Sequence, residues 1–363
     1  MKQKENSRGF TLVELLVAIA IGLIALGAAS LLFKKGIDIT LTVTQRAEMQ
    51  QNARAGVNAM VRDVTLAATD LPAGGVELPQ SGAPLQPRFG CTGGGTCYLT
   101  NGNNQFQNGR LYYVNPHTQD GAVVGAITPD SLVVAYSDPA MILGAVTLSP
   151  AGDLTASKIQ VTTPPANIAS QQNGITVGDL IWLSNSNGNG IGVVTAFDGI
   201  DTISFASGDP LNINQPPTAA GPLIVGNVNG NITSDLMNQP PTNPPVIPGP
   251  IQAQRIFLVT YFVFQDATGR RMLMRQVNAH PATPIAENVE NLQVTYDTID
   301  NTVTPPVPVI NQSNPAASPN LIRNVNIALT VRTTQKIGPF GDYQRLTLAT
   351  AVSPRNMSTT AIF

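Results

Sequence analysis

The N-terminal part of the chain contains an apolar run that constrains how everything after it can fold. Residues 10–33, FTLVELLVAIAIGLIALGAASLLF, include one charged side chain, Glu14. At about 1.5 Å per residue, a helix of this length spans roughly 36 Å, enough to cross a hydrocarbon core of about 30 Å. A secretory signal has a shorter apolar part and a small-residue cleavage site after it. We therefore predict a transmembrane helix.

The charges beside this run predict its orientation. Residues 1–9 carry three basic side chains and one acidic one, and a positive flank before the first span keeps the N-terminus in the cytoplasm. Lys34 and Lys35 follow the run directly and oppose this assignment. Because the first short flank usually dominates, we expect the remainder of the chain to be exported.

The composition fits an exported protein with a neutral surface. Charged residues make up 12% of the 363 residues, and the formal net charge is −2. Soluble domains average about 25% charged residues, so this surface must take its polarity from Asn, Gln, Ser and Thr. A nucleic-acid binder that depends on a basic field is excluded by the same values.

The two cysteines also favour export. Cys91 and Cys97 enclose the segment TGGGT, and its glycines allow the chain to fold back so that the sulfurs can meet. We predict a disulfide, which requires an oxidising compartment. A soft metal site and a pair of free thiols are the alternatives. His117 and His280 lie far away in sequence, which disfavours the metal site.

Residues 8–18, RGFTLVELLVA, resemble the processing motif of type IV prepilins and of the pseudopilins of type II secretion. The motif has a glycine, an aromatic residue and a glutamate four positions after that aromatic residue, at the head of an apolar helix. The resemblance implies that residues 1–9 are a leader peptide. It implies that a prepilin peptidase cuts between Gly9 and Phe10 and methylates the new amine of Phe10. It also implies that Glu14 pairs with the Phe10 amine of a neighbouring subunit in a filament.

Physical chemistry gives Glu14 a reason to have such a partner. A carboxylate in an apolar span costs on the order of a few kcal/mol unless it is paired or near the interface. The amine of Phe10, one helical turn away, is costly for the same reason, and the two charges are more stable together. The alternative is that Glu14 only extends toward the cytoplasmic interface.

Residues 34–70 are predicted to continue the helix in amphipathic form. An apolar stripe and a polar stripe follow steps of three and four residues, as on two faces of one helix. The apolar stripe is Met49, Ala53, Val57, Val61, Val64 and Ala68, and the polar stripe is Arg46, Gln50, Arg54, Asn58 and Arg62. We predict one helix from residue 10 to about residue 68, which ends before Leu71 and Pro72.

The rest of the chain, residues 72–363, is predicted to be an exported β-rich domain. Short runs of β-branched and aromatic residues alternate with turn residues, and residues 266–269 form the turn of a hairpin. The predicted strands are residues 110–114, 131–137, 179–184, 191–197, 202–205, 255–265, 270–277, 291–298, 323–332 and 343–352.

Two proline-rich stretches, residues 212–250 and 302–319, are predicted to be loops without regular structure. In the late strands every second residue is apolar, so one face of the sheet needs a cover, and the amphipathic helix can supply it. The predicted fold class is therefore α+β, with a long N-terminal helix packed on antiparallel β-sheet.

Three later segments, residues 286–296, 322–332 and 350–356, resemble the PilW minor pilins and the related J-type pseudopilins. The resemblance implies a minor pilin in the tip or assembly-initiating complex of a type IV pilus. A J-type pseudopilin of a type II secretion system is the nearest alternative.

This resemblance also implies partners and a location. The partners are other major and minor pilins, the prepilin peptidase, an inner-membrane assembly platform and, before assembly, the lipid bilayer. The protein would cross the inner membrane once, with its N-terminus in the cytoplasm and its domain in the periplasm, and would then join the extracellular pilus.

The sequence contains no motif for catalysis. It has two histidines, no Gly-x-Ser-x-Gly elbow and no phosphate-binding Gly-x-x-x-x-Gly-Lys loop. We expect no enzymatic activity, no cofactor and no metal, with calcium at Asp198 and Asp201, or at Asp297 and Asp300, as a weaker alternative. The alternative from another class is a membrane-tethered adhesin or exported enzyme whose active region lies within residues 72–250.

Overall fold

The computed structural model describes residues 10–67, 69–72, 74–78, 85–93, 96–99, 104–106, 109–119, 127–148, 158–162, 168, 174–185, 189–215, 250–315, 319–337 and 341–354. In this part of the chain one long helix, α1 (Leu12–Leu66), precedes sixteen strands. The strands are β1 Val76–Glu77, β2 Arg110–Leu111, β3 Val114–Pro116, β4 Leu132–Leu148, β5 Lys158–Val161, β6 Leu180–Ser184, β7 Asn189–Val193, β8 Ala196–Asp198, β9 Thr202–Ser204, β10 Ile251–Gln265, β11 Arg271–Val277, β12 Thr283–Glu287, β13 Val289–Asp300, β14 Val307–Gln312, β15 Ile322–Arg332 and β16 Arg345–Val352.

The strands form antiparallel sheets, so the α+β class predicted from the sequence is confirmed. A ten-stranded sheet has the main order β12-β11-β10-β4-β5-β9-β8, and β3, β6 and β7 pair beside this path. A four-stranded sheet has the order β14-β13-β15-β16, and β1 pairs with β2. The predicted hairpin is β10–β11, in which Gln265 lies opposite Arg271.

Helix α1 has the two faces that its sequence predicts. All five residues of the predicted polar stripe are exposed. On the apolar stripe, Ala53, Val57 and Val64 are buried, whereas Val61 is half-buried and Met60 is fully buried beside it. The buried face is therefore rotated slightly from the predicted one. Ala68 lies outside the described residues.

The prediction of a loop over residues 302–319 was wrong in its central part. Residues 307–312 form strand β14, which pairs antiparallel with β13. Pro308 stands opposite Ile299 in this pairing, and proline is tolerated because β14 is the edge strand of its sheet. Of the other predicted loop, residues 216–249 lie outside the described residues, and 212–215 have no regular structure.

The chain divides into two compact units. The first comprises the chain up to Gln50 together with Thr333–Gln344. Within it, the Gln335 N–H donates to Gln45 Oε1 at 3.2 Å, and Arg46 Nε donates to Gln344 Oε1 at 2.8 Å. Two side chains of the helix thus hold the segment between β15 and β16.

The second unit comprises Gln51–Arg332 and Arg345–Phe363, and it contains the last turns of α1. Gly56 lies where this part of the helix closely approaches the strands. A Cβ atom at Gly56 would lie 2.8 Å from Leu329 Cδ2 and 2.9 Å from Leu273 Cδ2. A glycine in mid-helix costs up to about 1 kcal/mol of helix propensity, and here it allows the leucines of two strands to pack on the helix backbone.

A buried carboxylate fastens the helix to the strands of the second unit. Asp63, on α1, is 3% exposed. Its Oδ1 accepts from the Tyr136 hydroxyl at 3.1 Å, and its Oδ2 accepts from the Tyr261 hydroxyl at 2.6 Å and from Arg275 Nε at 2.8 Å. Burial, followed by the nearby charge of Asp63, raises the pKa of both tyrosines, which keeps the hydroxyls protonated as donors.

Replacement of Asp63 by alanine should destabilise the domain by about 2–3 kcal/mol. The change leaves two buried tyrosine hydroxyls and the half-buried Arg275 without their shared acceptor. Urea unfolding of the full-length protein in detergent, followed by the fluorescence of Trp182, measures this loss. Arg54→Ala, on the exposed face of the same helix, is the control and should change stability by no more than about 0.5 kcal/mol. An unchanged urea midpoint for Asp63→Ala would remove the anchoring role.

Candidate processing and assembly site

The start of helix α1 is built by a reciprocal pair of side chains. Thr11 directly precedes the helix, and Glu14 lies in its first turn. The backbone N–H and the hydroxyl of Thr11 donate to Glu14 Oε2 at 3.0 and 2.9 Å, and the Glu14 N–H donates to Thr11 Oγ1 at 3.3 Å. This is a capping box, in which each side chain satisfies a backbone donor that helix geometry leaves without a partner.

The capping box gives Glu14 a local role that our sequence interpretation missed. We expected its carboxylate to require a partner in another subunit, whereas Thr11, three residues away, already donates to it. The signal was present, because a threonine followed three residues later by glutamate before an apolar run is the capping-box pattern. In the described part of the chain, both bonds from Thr11 go to Oε2.

The residues of the predicted cleavage site lie immediately before this box. Phe10 is the first described residue and is 85% exposed, whereas Gly9 lies outside the described residues. A cut between them would create an ammonium group at Phe10, next in sequence to the capping threonine. After such a cut, the N-terminal charge of Phe10 and the carboxylate of Glu14 would lie one helical turn apart.

The helix after these residues presents an apolar surface to its surroundings. Among the described residues, α1 is the one helix long and apolar enough to cross a bilayer, and none of its most apolar stretch is buried within the chain. Large side chains such as Leu23, Ile24 and Leu32 are more than half exposed. A soluble monomer rarely exposes so large an apolar surface, and the helix fits a membrane anchor.

Comparison with known proteins identifies the N-terminal segment. Residues 4–30 match the family model of the prokaryotic N-terminal methylation motif. The chain carries a prepilin-type N-terminus. This match supports a type IV pilin-like protein that is processed by a prepilin peptidase and assembles with other pilins. The apolar part of α1 fits the membrane anchor typical of prepilin-type proteins. The comparison with curated proteins found no match, and neither did the comparison with solved structures.

The disulfide predicted from the sequence is present in the β-rich domain. Cys91 and Cys97 are joined, and their segment is attached to the end of β11 and the turn after it. Thr92 Oγ1 donates to the Ala279 carbonyl at 3.1 Å, and Gln276 Nε2 donates to the Cys91 carbonyl at 2.8 Å. Cys91 is fully buried. The disulfide closes the loop, and these two hydrogen bonds hold it against the strand that also carries Arg275.

A cavity of about 300 Å³ near this loop is the other candidate for a functional site. Arg88 and the buried Asp209 are among its lining residues. Asp209 accepts from the backbone N–H groups of Leu211, Ile213 and Asn214 at 2.9, 3.2 and 2.7 Å. Burial raises the pKa of Asp209 to about 6, against these three donors. Its carboxylate thus organises the surrounding loop, and we assign it no chemistry.

The described residues also contain no group of three or more His, Cys, Asp or Glu side chains that could hold a metal. Asp198 forms an ion pair with Lys158 at 2.7 Å, and Asp201 Oδ2 accepts from Gln160 Nε2 at 2.7 Å. In this first of the two aspartate pairs that the sequence suggested for calcium, each carboxylate is therefore engaged by a separate side chain.

Loss of the disulfide should cost about 2 kcal/mol of stability. The cysteines are six residues apart, and closing a loop of this length removes roughly that much conformational entropy from the unfolded chain. We expect the double variant Cys91→Ser, Cys97→Ser to unfold at lower urea than the wild type. A reductant should lower the wild-type midpoint and leave that of the double variant unchanged. Free thiols in exported wild-type protein, seen by non-reducing mass spectrometry, would contradict the pairing.

Proposed function

We propose that this protein is a minor pilin, a non-catalytic structural subunit of a type IV pilus that belongs to the tip or assembly-initiating complex. The observation that carries the proposal is the prepilin-type motif at residues 4–30, placed at the head of an exposed apolar helix. The partners are other pilins, the prepilin peptidase, the inner-membrane assembly platform and, before assembly, the bilayer.

In this proposal the chain first crosses the inner membrane, with its N-terminus in the cytoplasm and its β-rich domain in the periplasm. The peptidase removes residues 1–9 and methylates Phe10. The apolar part of α1 then moves from the bilayer into the filament core and exchanges lipid contacts for helix contacts. The size of the β-rich domain supports a minor, terminal position, because close repetition along a filament favours smaller domains.

The capping box refines how Glu14 takes part. In the bilayer, Thr11 donates to Glu14 Oε2, which reduces the cost of holding a carboxylate near hydrocarbon. We propose that Glu14 Oε1 then accepts the methylated Phe10 amine of an adjacent subunit. The cap fixes the carboxylate at the first helical turn, so the ion pair sets the axial register between two helices that are otherwise uniformly apolar.

Two substitutions at Glu14 separate the cap from the charge. Glutamine retains the capping box, since Thr-x-x-Gln is also a capping pair, but it lacks the negative charge. Alanine removes both. If the ion pair governs assembly, Glu14→Gln and Glu14→Ala should both be cleaved normally. The amount of each variant recovered in sheared filaments should fall by about tenfold or more, because one charge-assisted hydrogen bond is lost.

Quantitative mass spectrometry of whole cells and of sheared filaments measures leader cleavage and incorporation into filaments in the same cultures. The wild type should be present in filaments in far fewer copies than the main subunit. Normal recovery of Glu14→Gln, with loss of Glu14→Ala only, would assign Glu14 to helix capping and would remove the intersubunit pair.

A further inference from the structure

Among the described residues, no strand pairs with the outer edge of β16. On its other side β16 pairs with β15. The Thr333 N–H donates to the directly opposite Gln344 carbonyl at 2.9 Å, so this is a hydrogen-bonded pair of the antiparallel ladder. Such pairs alternate along a ladder. The backbone groups of Thr347, Ala349 and Ala351 therefore face the free edge.

The side chains of β16 that point to the inner face of the sheet are also only partly covered. Leu346, Leu348 and Thr350 point toward the inner face of the sheet, but each is only half-buried. Between Arg345 and Val352 the strand has no charge and no proline. Sheet edges are normally protected by such residues, by bulges or by a covering segment, and a flat uncharged edge is a site for pairing with another chain.

Three arginine side chains lie at one end of this edge. Arg345, at the start of β16, lies directly opposite Arg332 on β15. Both share one buried carboxylate, Glu290, with Arg271: the distances to Glu290 Oε1 are 3.1 Å from Arg345, 3.8 Å from Arg332 and 3.4 Å from Arg271. The hydrogen bond from Arg345 is the largest cause that lowers the pKa of Glu290. Three guanidinium groups thus surround one carboxylate, and the side chain of Arg345 is 50% exposed.

We propose that the free edge of β16 takes up an extended segment of another pilin-class subunit by strand addition. This inference rests on the proposed function, which supplies the class of partner. The unpaired backbone groups require a partner in extended conformation, because only a strand presents donors and acceptors at the matching spacing. The half-buried leucines require apolar side chains at alternate positions of that segment. The side chain of Arg345, which is half exposed, favours a carboxylate at the adjacent position of that segment.

Substitutions at Ala349 test the backbone part of the proposal. Proline at this position removes an N–H that faces the free edge and leaves the bonds to β15 in place, whereas valine keeps the N–H and favours the strand.

The crosslinking probe is p-benzoylphenylalanine, which replaces Thr347 on the edge of the full-length protein. In a second form the same residue replaces Ala328, which lies on the same face but on the inner strand β15.

In filament-producing cells, we expect the Thr347 probe to crosslink to a segment of a subunit that itself has a prepilin-type N-terminus, and the Ala328 probe to do so much less. Ala349→Pro should reduce that crosslink by about tenfold, since at least one backbone hydrogen bond and its neighbours are lost. Ala349→Val should crosslink as the parent does. Arg345→Gln should reduce the yield a few-fold at low salt and less at high salt.

The proposal would be overturned if Ala349→Pro crosslinked as efficiently as Ala349→Val. It would also be overturned if the Thr347 probe reacted only with residues 355–363 of its own chain, or only with proteins outside the pilin class. If Ala349→Pro does not accumulate, Ala351→Pro is the replacement, because its N–H also faces the edge. Cleavage between Gly9 and Phe10 is measured in the same samples: its absence counts against the proposed function, whereas normal cleavage with unchanged crosslinking counts against the edge alone.

Discussion

A carboxylate at the head of an apolar helix is the constraint on which this account depends. Hydrocarbon tolerates such a group only when it has partners, and the structure gives Glu14 a first partner in Thr11 at the same helix end. This arrangement fixes where the helix begins. It also holds the charge next to Phe10, which would become the N-terminal residue of the processed protein. We infer that the charge is kept because assembly uses it.

The C-terminal half of the same helix also carries an acidic side chain that is stabilised by hydrogen bonds, but its partners lie on other elements. Asp63 is also an acidic residue on α1, but it is buried against strands and is held by Tyr136, Tyr261 and Arg275. Glu14 is held by its own turn, so it can gain a new partner without unfolding anything. Asp63 cannot, because its release would expose several buried groups. Glu14 is therefore suited to a contact that forms during assembly, and Asp63 is suited to a permanent attachment of the helix.

Much of the fold follows from local sequence patterns. Periodicity predicted the length of α1 and its exposed polar stripe. Runs of β-branched and aromatic residues between turn residues predicted most strands, and the turn at residues 266–269 predicted the β10–β11 hairpin. Strand β14 was missed because its prolines resemble those of a loop, and only its position at a sheet edge makes Pro308 acceptable. The Asp63 network could not be predicted, since its partners are 73 to 212 residues away in sequence. At the candidate site, the sequence predicted the motif around Glu14. The spacing of Thr11 and Glu14 also indicated a capping box, which our sequence interpretation missed.

Mass spectrometry of the N-terminal peptide from purified filaments tests the central claim most directly. The account predicts a peptide that begins at Phe10 with a methylated amine and in which Glu14 is the fifth residue. Recovery of assembled protein that still carries residues 1–9 would contradict it, because the amine that should pair with Glu14 would then never have been formed.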